Sequence, residues 1–315
     1  MRRQYEYICA GNLILDSRGM RCEKPGAEEF PGGPATFAYT GVRIWTDSVM
    51  QVSRTGAEYE KVCLPWIKRN HIETEGIRVV SDRCNHLYGF AHAYGMTEAP
   101  VFDRYTLDAW QDFGYQKIRP EDIGKFTKAG GVKGVYLASN PDTVFWEELG
   151  RIRARDGFKL MWEIEGVWAR PEFMPQIRYA AERSDIFSIN LAEAQSLFGC
   201  RSDEDCVKGL QKLPVEMTLF RVGERGLYVV TKEDAIYLPS APGPVVDTVG
   251  CGNSSTGSAL YAFAEGKDPL MIGIMANIAS ARNLMQVGVI PEFAGIRDAC
   301  CQQAEELYEF YSQKR

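Results

Sequence analysis

The sequence predicts an α/β domain built from parallel βαβ units, and three observations carry that expectation. After residue 115, apolar strand-like runs alternate regularly with helical stretches. No internal repeat or low-complexity linker divides the chain, so residues 1–315 read as a single domain. Finally, the apolar Val245-Val246 leads through a Gly-rich turn, Gly250-Cys251-Gly252, into small residues suited to a helix start.

Taken in order, residues 5 to 10 form a buried strand ending at Gly11, and Asp16 lies just past it. In an open α/β sheet that edge is where ligands collect, although Asp also favours turns on its own account. Gly32-Gly33-Pro34 describes a tight turn feeding a helix that carries Phe37. Val49 to Arg54 reads as a strand and Glu58 to Asn70 as a helix. Ile77–Ser81 and His86–Gly95 show period-two alternation with no helix between them, so they are expected to pair antiparallel. His86, Tyr88, His92 and Tyr94 are then either candidate substrate contacts or decoration of a half-buried sheet.

Further on, strands are expected at 132–138, 158–163 and 185–190, with helices at 141–155 and 171–183 between them. Phe220 to Val230 reads as strand, Gly turn, strand, and helices follow at 252–265 and 268–287.

Composition narrows the functional classes. Hydrophobic residues make up 45% and charged residues 25%, enough for a sizeable core. A net charge of −6 argues against electrostatic nucleic-acid binding. No run of about 18 apolar residues exists to span a bilayer, and the first residues lack the apolar core of a secretion signal. The nine cysteines are scattered without a Cys-x-x-Cys pair, which fits reduced thiols in a cytoplasmic protein and not a zinc site.

The richest chemistry lies at 247–258. Glycines bring backbone N–H groups close to a ligand, and a helix that starts there presents free donors and the positive end of its dipole. A phosphate site is the functional reading, and a purely structural loop-to-helix turn is the alternative. Residue by residue, Asp247-Thr-x-Gly-x-Gly-Asn253 resembles the signature of the ribokinase/PfkB family of carbohydrate and nucleoside kinases. That family usually ends the motif in Asp, its general base; here Asn253 stands there, and an amide has no basic lone pair.

The resemblance extends along the chain in order: Asp16, the Gly32-Gly33 turn, Asn190-Leu-Ala-Glu193, the Gly223–Gly226 turn and the 247–253 loop. It implies a ribokinase-like three-layer α/β/α core, with a small β lid formed from about 12–30 and 72–115. It implies transfer of the γ-phosphate of ATP to a hydroxyl of a sugar, nucleoside or similar molecule. Gly250, Cys251 and Gly252 would form the anion hole, with Asn253 at the base position. Asp16, Gly32, Gly33 and Phe37 would bind substrate, and Asn190, Gly223, Gly226 and Asn277 the nucleotide.

Glu193 would help place Mg²⁺ through water, although Asn190 and Glu193 also make a plausible helix cap. Asp247 resembles the family's monovalent-cation loop, implying K⁺. An exposed lid edge makes a homodimer plausible. Where the family commonly has Asp-Pro-Asn, this chain has Glu163 and Glu165, read as a solvent-facing pair or as a substitute base. A non-catalytic sugar- or nucleotide-binding homologue is the competing function, because of Asn253.

Overall fold

Alternation along the central strands sorts the core into two layers, one on each side of a sheet. Tyr7 and Cys9 of β1 (Tyr7–Ala10) pack on one side, Ile8 and Ala10 on the other. Such strands, buried on both faces, read as continuous apolar runs. The computed structural model describes residues 4–17, 28–84, 86–88, 116–241 and 243–314.

The first half contributes β2 (Ile14–Ser17), β3 (Glu29–Gly32), α1 (Pro34–Arg43), β4 (Val49–Gly56), α2 (Tyr59–Arg69), β5 (Ile77–Ser81) and β6 (His86–Tyr88). The alternating stretch then runs α3 (Pro120–Thr127), β7 (Gly134–Ser139), α4 (Thr143–Asp156), β8 (Lys159–Ile164), α5 (Met174–Ala181), β9 (Ile186–Asn190), α6 (Leu191–Phe198) and α7 (Asp203–Leu210). The hairpin strands β10 (Met217–Arg221) and β11 (Gly226–Val230) lead to β12 (Ala235–Pro239), and three helices close the chain: α8 (Cys251–Ala264), α9 (Pro269–Leu284) and α10 (Ile296–Ser312).

Among the described residues nine strands form the central sheet, in the order β12-β11-β10-β9-β8-β7-β1-β4-β5. It is parallel from β10 to β5, and β11 runs antiparallel to both of its neighbours. Residues of α1, α2, α8, α9 and α10 fill one apolar layer, and residues of α3 to α7 fill the other. The chain builds outward from β1 through β4 on one side and β7 on the other, so strand order reverses there. Ligands of open α/β sheets bind outside the carboxyl ends of strands at such a reversal.

Local signals set several of these boundaries. Asp142 caps α4 by accepting from the N–H groups of Val144 and Phe145, and Gly157 at φ 75° ends that helix. Asp268 caps α9 in the same way. Gly41 and Gly257 let α1 and α8 approach so closely that a Cβ on either would meet the other helix's backbone.

One expectation needs correction. Among the described residues, which exclude 89–95, Ile77–Ser81 does not pair with His86–Tyr88 as a lid hairpin; it pairs parallel with β4 at the edge of the central sheet. It follows α2 and so completes a βαβ unit, and a half-exposed edge strand carries the same alternation as a lid strand. β6 instead pairs parallel with β2 in a separate sheet whose described strands run β3-β2-β6. His92 and Tyr94 lie outside the described residues.

Candidate active site at the carboxyl ends of the strands

The Gly-rich loop folds as its sequence suggests. Gly250 takes φ 77°, a left-handed conformation that costs an L-residue about 1–2 kcal/mol, and α8 starts at the next residue. A Cβ at Gly250 would run into the ring of Phe37, which lies in the core of α1 at 2% exposure. Phe37 therefore packs beneath the turn. Upstream, Asp247 holds the loop by accepting from the N–H groups of Val249 at 3.0 Å and Gly288 at 3.4 Å.

A cavity of about 990 Å³ opens beside this helix start. Asn190, Arg221, Gly223, Cys251, Gly252 and Asn277 are among its lining residues, so most of the nucleotide-side expectations converge on one space. Its other walls come from the β10–β11 turn, including Gly226. Asn277 donates its amide to the Pro239 carbonyl at 2.9 Å, which ties α9 to the end of β12. Burial pushes the Cys251 thiol up to about 11, so it stays protonated at neutral pH.

Asn190 and Glu193 do form a helix cap. Asn190 Oδ1 accepts from the Glu193 N–H, and Glu193 Oε2 accepts from the Asn190 N–H, both at 2.9 Å. Asn190 also lines the cavity, whereas Glu193 lies behind it, against Gly166. Desolvation pushes the Glu193 carboxyl up to about 7.

On the other side of the loop, Asp16 of β2 sits over Gly32 of β3, where a Cβ would meet its carboxylate. Gly33 caps α1 at φ 95°. The Asp16 Oδ1 atom is buried with no hydrogen-bond partner among the described residues. Burial first, and the nearby charge of Asp247 second, push the Asp16 carboxyl up to about 7. A buried acceptor left unpaired costs about 1–3 kcal/mol, and a ligand hydroxyl would satisfy it.

Asn253 is the third residue of α8 and points at a carboxylate. Its Nδ2 donates to Glu163 Oε2 at 3.1 Å and to the Tyr136 hydroxyl at 3.3 Å. The Tyr136 hydroxyl donates to the same Glu163 oxygen at 2.6 Å, and Arg221 Nη2 meets Glu163 Oε1 at 2.7 Å. Glu163 is thus not solvent-facing, as its strand-end position suggested; it is 5% exposed and holds three donors. The period-two pattern of β8 gave no warning, because this strand is buried on both faces. Glu165, two residues on and just past the end of β8, is half-buried, and desolvation raises its carboxyl above the usual range.

Sequence reading missed Arg221 and Tyr136 as members of this site. A signal existed for the first: a charged residue at the carboxyl end of an otherwise apolar parallel strand belongs at a ligand edge. Tyr136 carried none, since it looks like any core aromatic of β7. Among the described residues no cluster of three His, Cys, Asp or Glu side chains could hold a metal, and no helix is long and apolar enough to cross a membrane.

Comparison with known proteins places this geometry in a family. The model described as "pfkB family carbohydrate kinase" matches residues 130–293. The cytidine kinase of Thermococcus kodakarensis is 23% identical over 81% of this chain and 88% of its own length. Among solved structures, the aminoimidazole riboside kinase of Salmonella enterica, complexed with aminoimidazole riboside and an ATP analogue, superimposes with a TM-score of 0.70 at 15% identity. That match covers 95% of this chain and 99% of the kinase. A putative ribokinase II of E. coli in complex with ATP and Mg²⁺ gives 0.70 at 14% identity over the same shares.

Proposed function

The chain belongs to the pfkB family of carbohydrate kinases, and from that premise we propose that it transfers the γ-phosphate of ATP to a hydroxyl of a nucleoside or sugar. The observation that carries the reading is the cavity of about 990 Å³ opening onto the start of α8, with Gly252 and Cys251 in its wall. Backbone N–H groups and the helix dipole there suit a phosphate chain. The unpaired Asp16 oxygen across the loop suits an acceptor hydroxyl.

In this reading the hydroxyl oxygen bonds to the γ-phosphorus as its proton passes to solvent water, the bond from that phosphorus to the β–γ bridging oxygen breaks, and ADP leaves. Positioning and charge stabilisation carry most of such a transfer. General-base help is worth about 10² to 10⁴ in rate, so Asn253 slows the same in-line path without closing it. Magnesium, when bound, would neutralise phosphate charge. Glu193, which lies behind the cavity wall with Oε2 capping the Asn190 N–H, would reach that ion only through water, and Mg²⁺ commonly keeps several waters. A monovalent cation fits less well, since both Asp247 oxygens already accept backbone N–H groups. Association through the edge of the β3-β2-β6 sheet belongs to the same proposal, and sedimentation would test it.

A second reading has one observation in its favour. Asn253 donates to Glu163 and cannot receive a proton, which suits a homologue that binds nucleotide or sugar without turnover. The deciding experiment is a panel of nucleosides and sugars incubated with ATP and Mg²⁺, with products weighed by mass spectrometry. A product 80 Da heavier than one of the acceptors supports the kinase (the mass of an added PO₃H group, roughly, in the transfer stated above). Binding of ATP without any phosphorylated acceptor supports the homologue.

A further inference from the structure

We propose that Arg221 is a phosphate-binding residue of the cavity, anchored on Glu163 through one nitrogen and presenting its remaining donors to the phosphate chain of a nucleotide. The inference rests on the nucleotide-kinase reading above. Arg221 lies outside the Gly-rich loop motif, on the strand before the Gly223–Gly226 turn.

Arg221 closes β10 at the cavity wall, with a side chain only 15% exposed. Its Nη2 is held by Glu163 Oε1 at 2.7 Å. Glu163 is itself fixed by Tyr136 and Asn253, so the guanidinium is oriented before any ligand arrives. The Nη1 atom lies against Gly252, at the place a Cβ would occupy. The Nε atom is buried with no hydrogen-bond partner among the described residues. A guanidinium carries five N–H donors in a planar fork, and one carboxylate contact leaves most of them available.

The neighbouring cation is used differently. Arg225 also lines the cavity, but it grips Asp203 with two hydrogen bonds, at 2.6 and 2.9 Å, at the exposed surface. Arg221 instead faces the first turn of α8, where backbone donors and the helix dipole favour an anion. Gly252 thereby gains a second reason to be glycine, because any side chain there would evict the guanidinium. Pre-positioning by Glu163 lowers the ordering cost of gripping phosphate oxygens. Arg–phosphate contacts are also among the stronger charge-assisted hydrogen bonds.

The test is calorimetric binding of ADP and of adenosine to the full chain and to Arg221→Gln and Arg221→Lys. Arg221→Gln is expected to weaken ADP by about 10- to 100-fold while adenosine changes by less than about twofold. Arg221→Lys, which keeps the charge but loses the fork, is expected to fall between. Equal ADP affinity in the parent and both variants would overturn the proposal, as would a matching loss for ADP and adenosine. Should Arg221→Gln fail to fold, Arg221→Lys decides, with a selective loss for ADP supporting the proposal and none overturning it. If the unaltered chain binds neither ADP nor adenosine, the nucleotide reading itself fails, and this inference with it.

Discussion

Asn253 donates its side-chain amide to Glu163 Oε2 at 3.1 Å, so the amide at the end of the Gly-rich loop serves a buried carboxylate. The Glu163 carboxylate selects its neighbours: Tyr136 hydroxyl, Asn253 amide and Arg221 guanidinium are all donors. An acid at 253 would not fit this set.

Asn253→Asp accordingly places a half-buried carboxylate beside the buried Glu163, and one of the two must titrate late. Its folded pKa lies above the unfolded value of about 3.9, so the variant's relative stability is intact below pH 4 and declines as pH rises. We expect parity with the parent near pH 4 and a deficit of about 2 kcal/mol at pH 8. Urea unfolding at the two pH values checks this; an equal deficit at both would contradict it.

Removing Glu163 strands a charge. Glu163→Ala leaves Arg221 without its partner and is expected to cost about 3–5 kcal/mol. Glu163→Ala with Arg221→Ala should cost less than the sum of the single changes by at least about 1 kcal/mol. Simple additivity in chemical denaturation would show that the pair does not act as a unit.

The turn before α8 is tuned to one ring. Gly250→Ala meets both an unfavourable φ of 77° and the Phe37 ring, for an expected loss of about 2–4 kcal/mol. In a Phe37→Leu background that loss should shrink to about 1–2 kcal/mol, the backbone share alone. Thermal melting of the four proteins decides, and an unchanged Gly250→Ala penalty would remove Phe37 from the account.

Asp16 supplies a pH signature. Its folded pKa, pushed up to about 7, exceeds the unfolded value, so its contribution to stability is complete below about pH 4 and is lost as pH climbs to 7. Asp16→Asn should therefore gain on the parent between those pH values, by roughly 4 kcal/mol at pH 8. Denaturation curves showing the same difference at pH 4 and pH 8 would contradict the buried, unpaired carboxyl.

How much of this was legible in the sequence follows from which signals are local. The βαβ alternation after residue 115 is a matter of periodicity, and β7 to β9 emerged within a residue or two of the expected ranges. The Gly250–Gly252 loop and the Asn190–Glu193 cap are written in neighbouring residues, so they too could be read. Ile77–Ser81 could not be placed, because an edge strand of the main sheet and a strand of a separate sheet share one alternation. The Glu163 network was hidden for another reason. Tyr136, Glu163, Arg221 and Asn253 come from three strands and a helix, and only the fold makes them neighbours.

The most direct test of the kinase account is ATP turnover by the unaltered chain, set beside Asn253→Asp under the same acceptors and Mg²⁺. Acceptor-dependent ADP release by the unaltered chain is the predicted result, since positioning and charge stabilisation carry most of phosphoryl transfer. Turnover confined to Asn253→Asp, with the unaltered chain binding nucleotide but releasing none, would contradict it and leave a binding protein on a kinase frame.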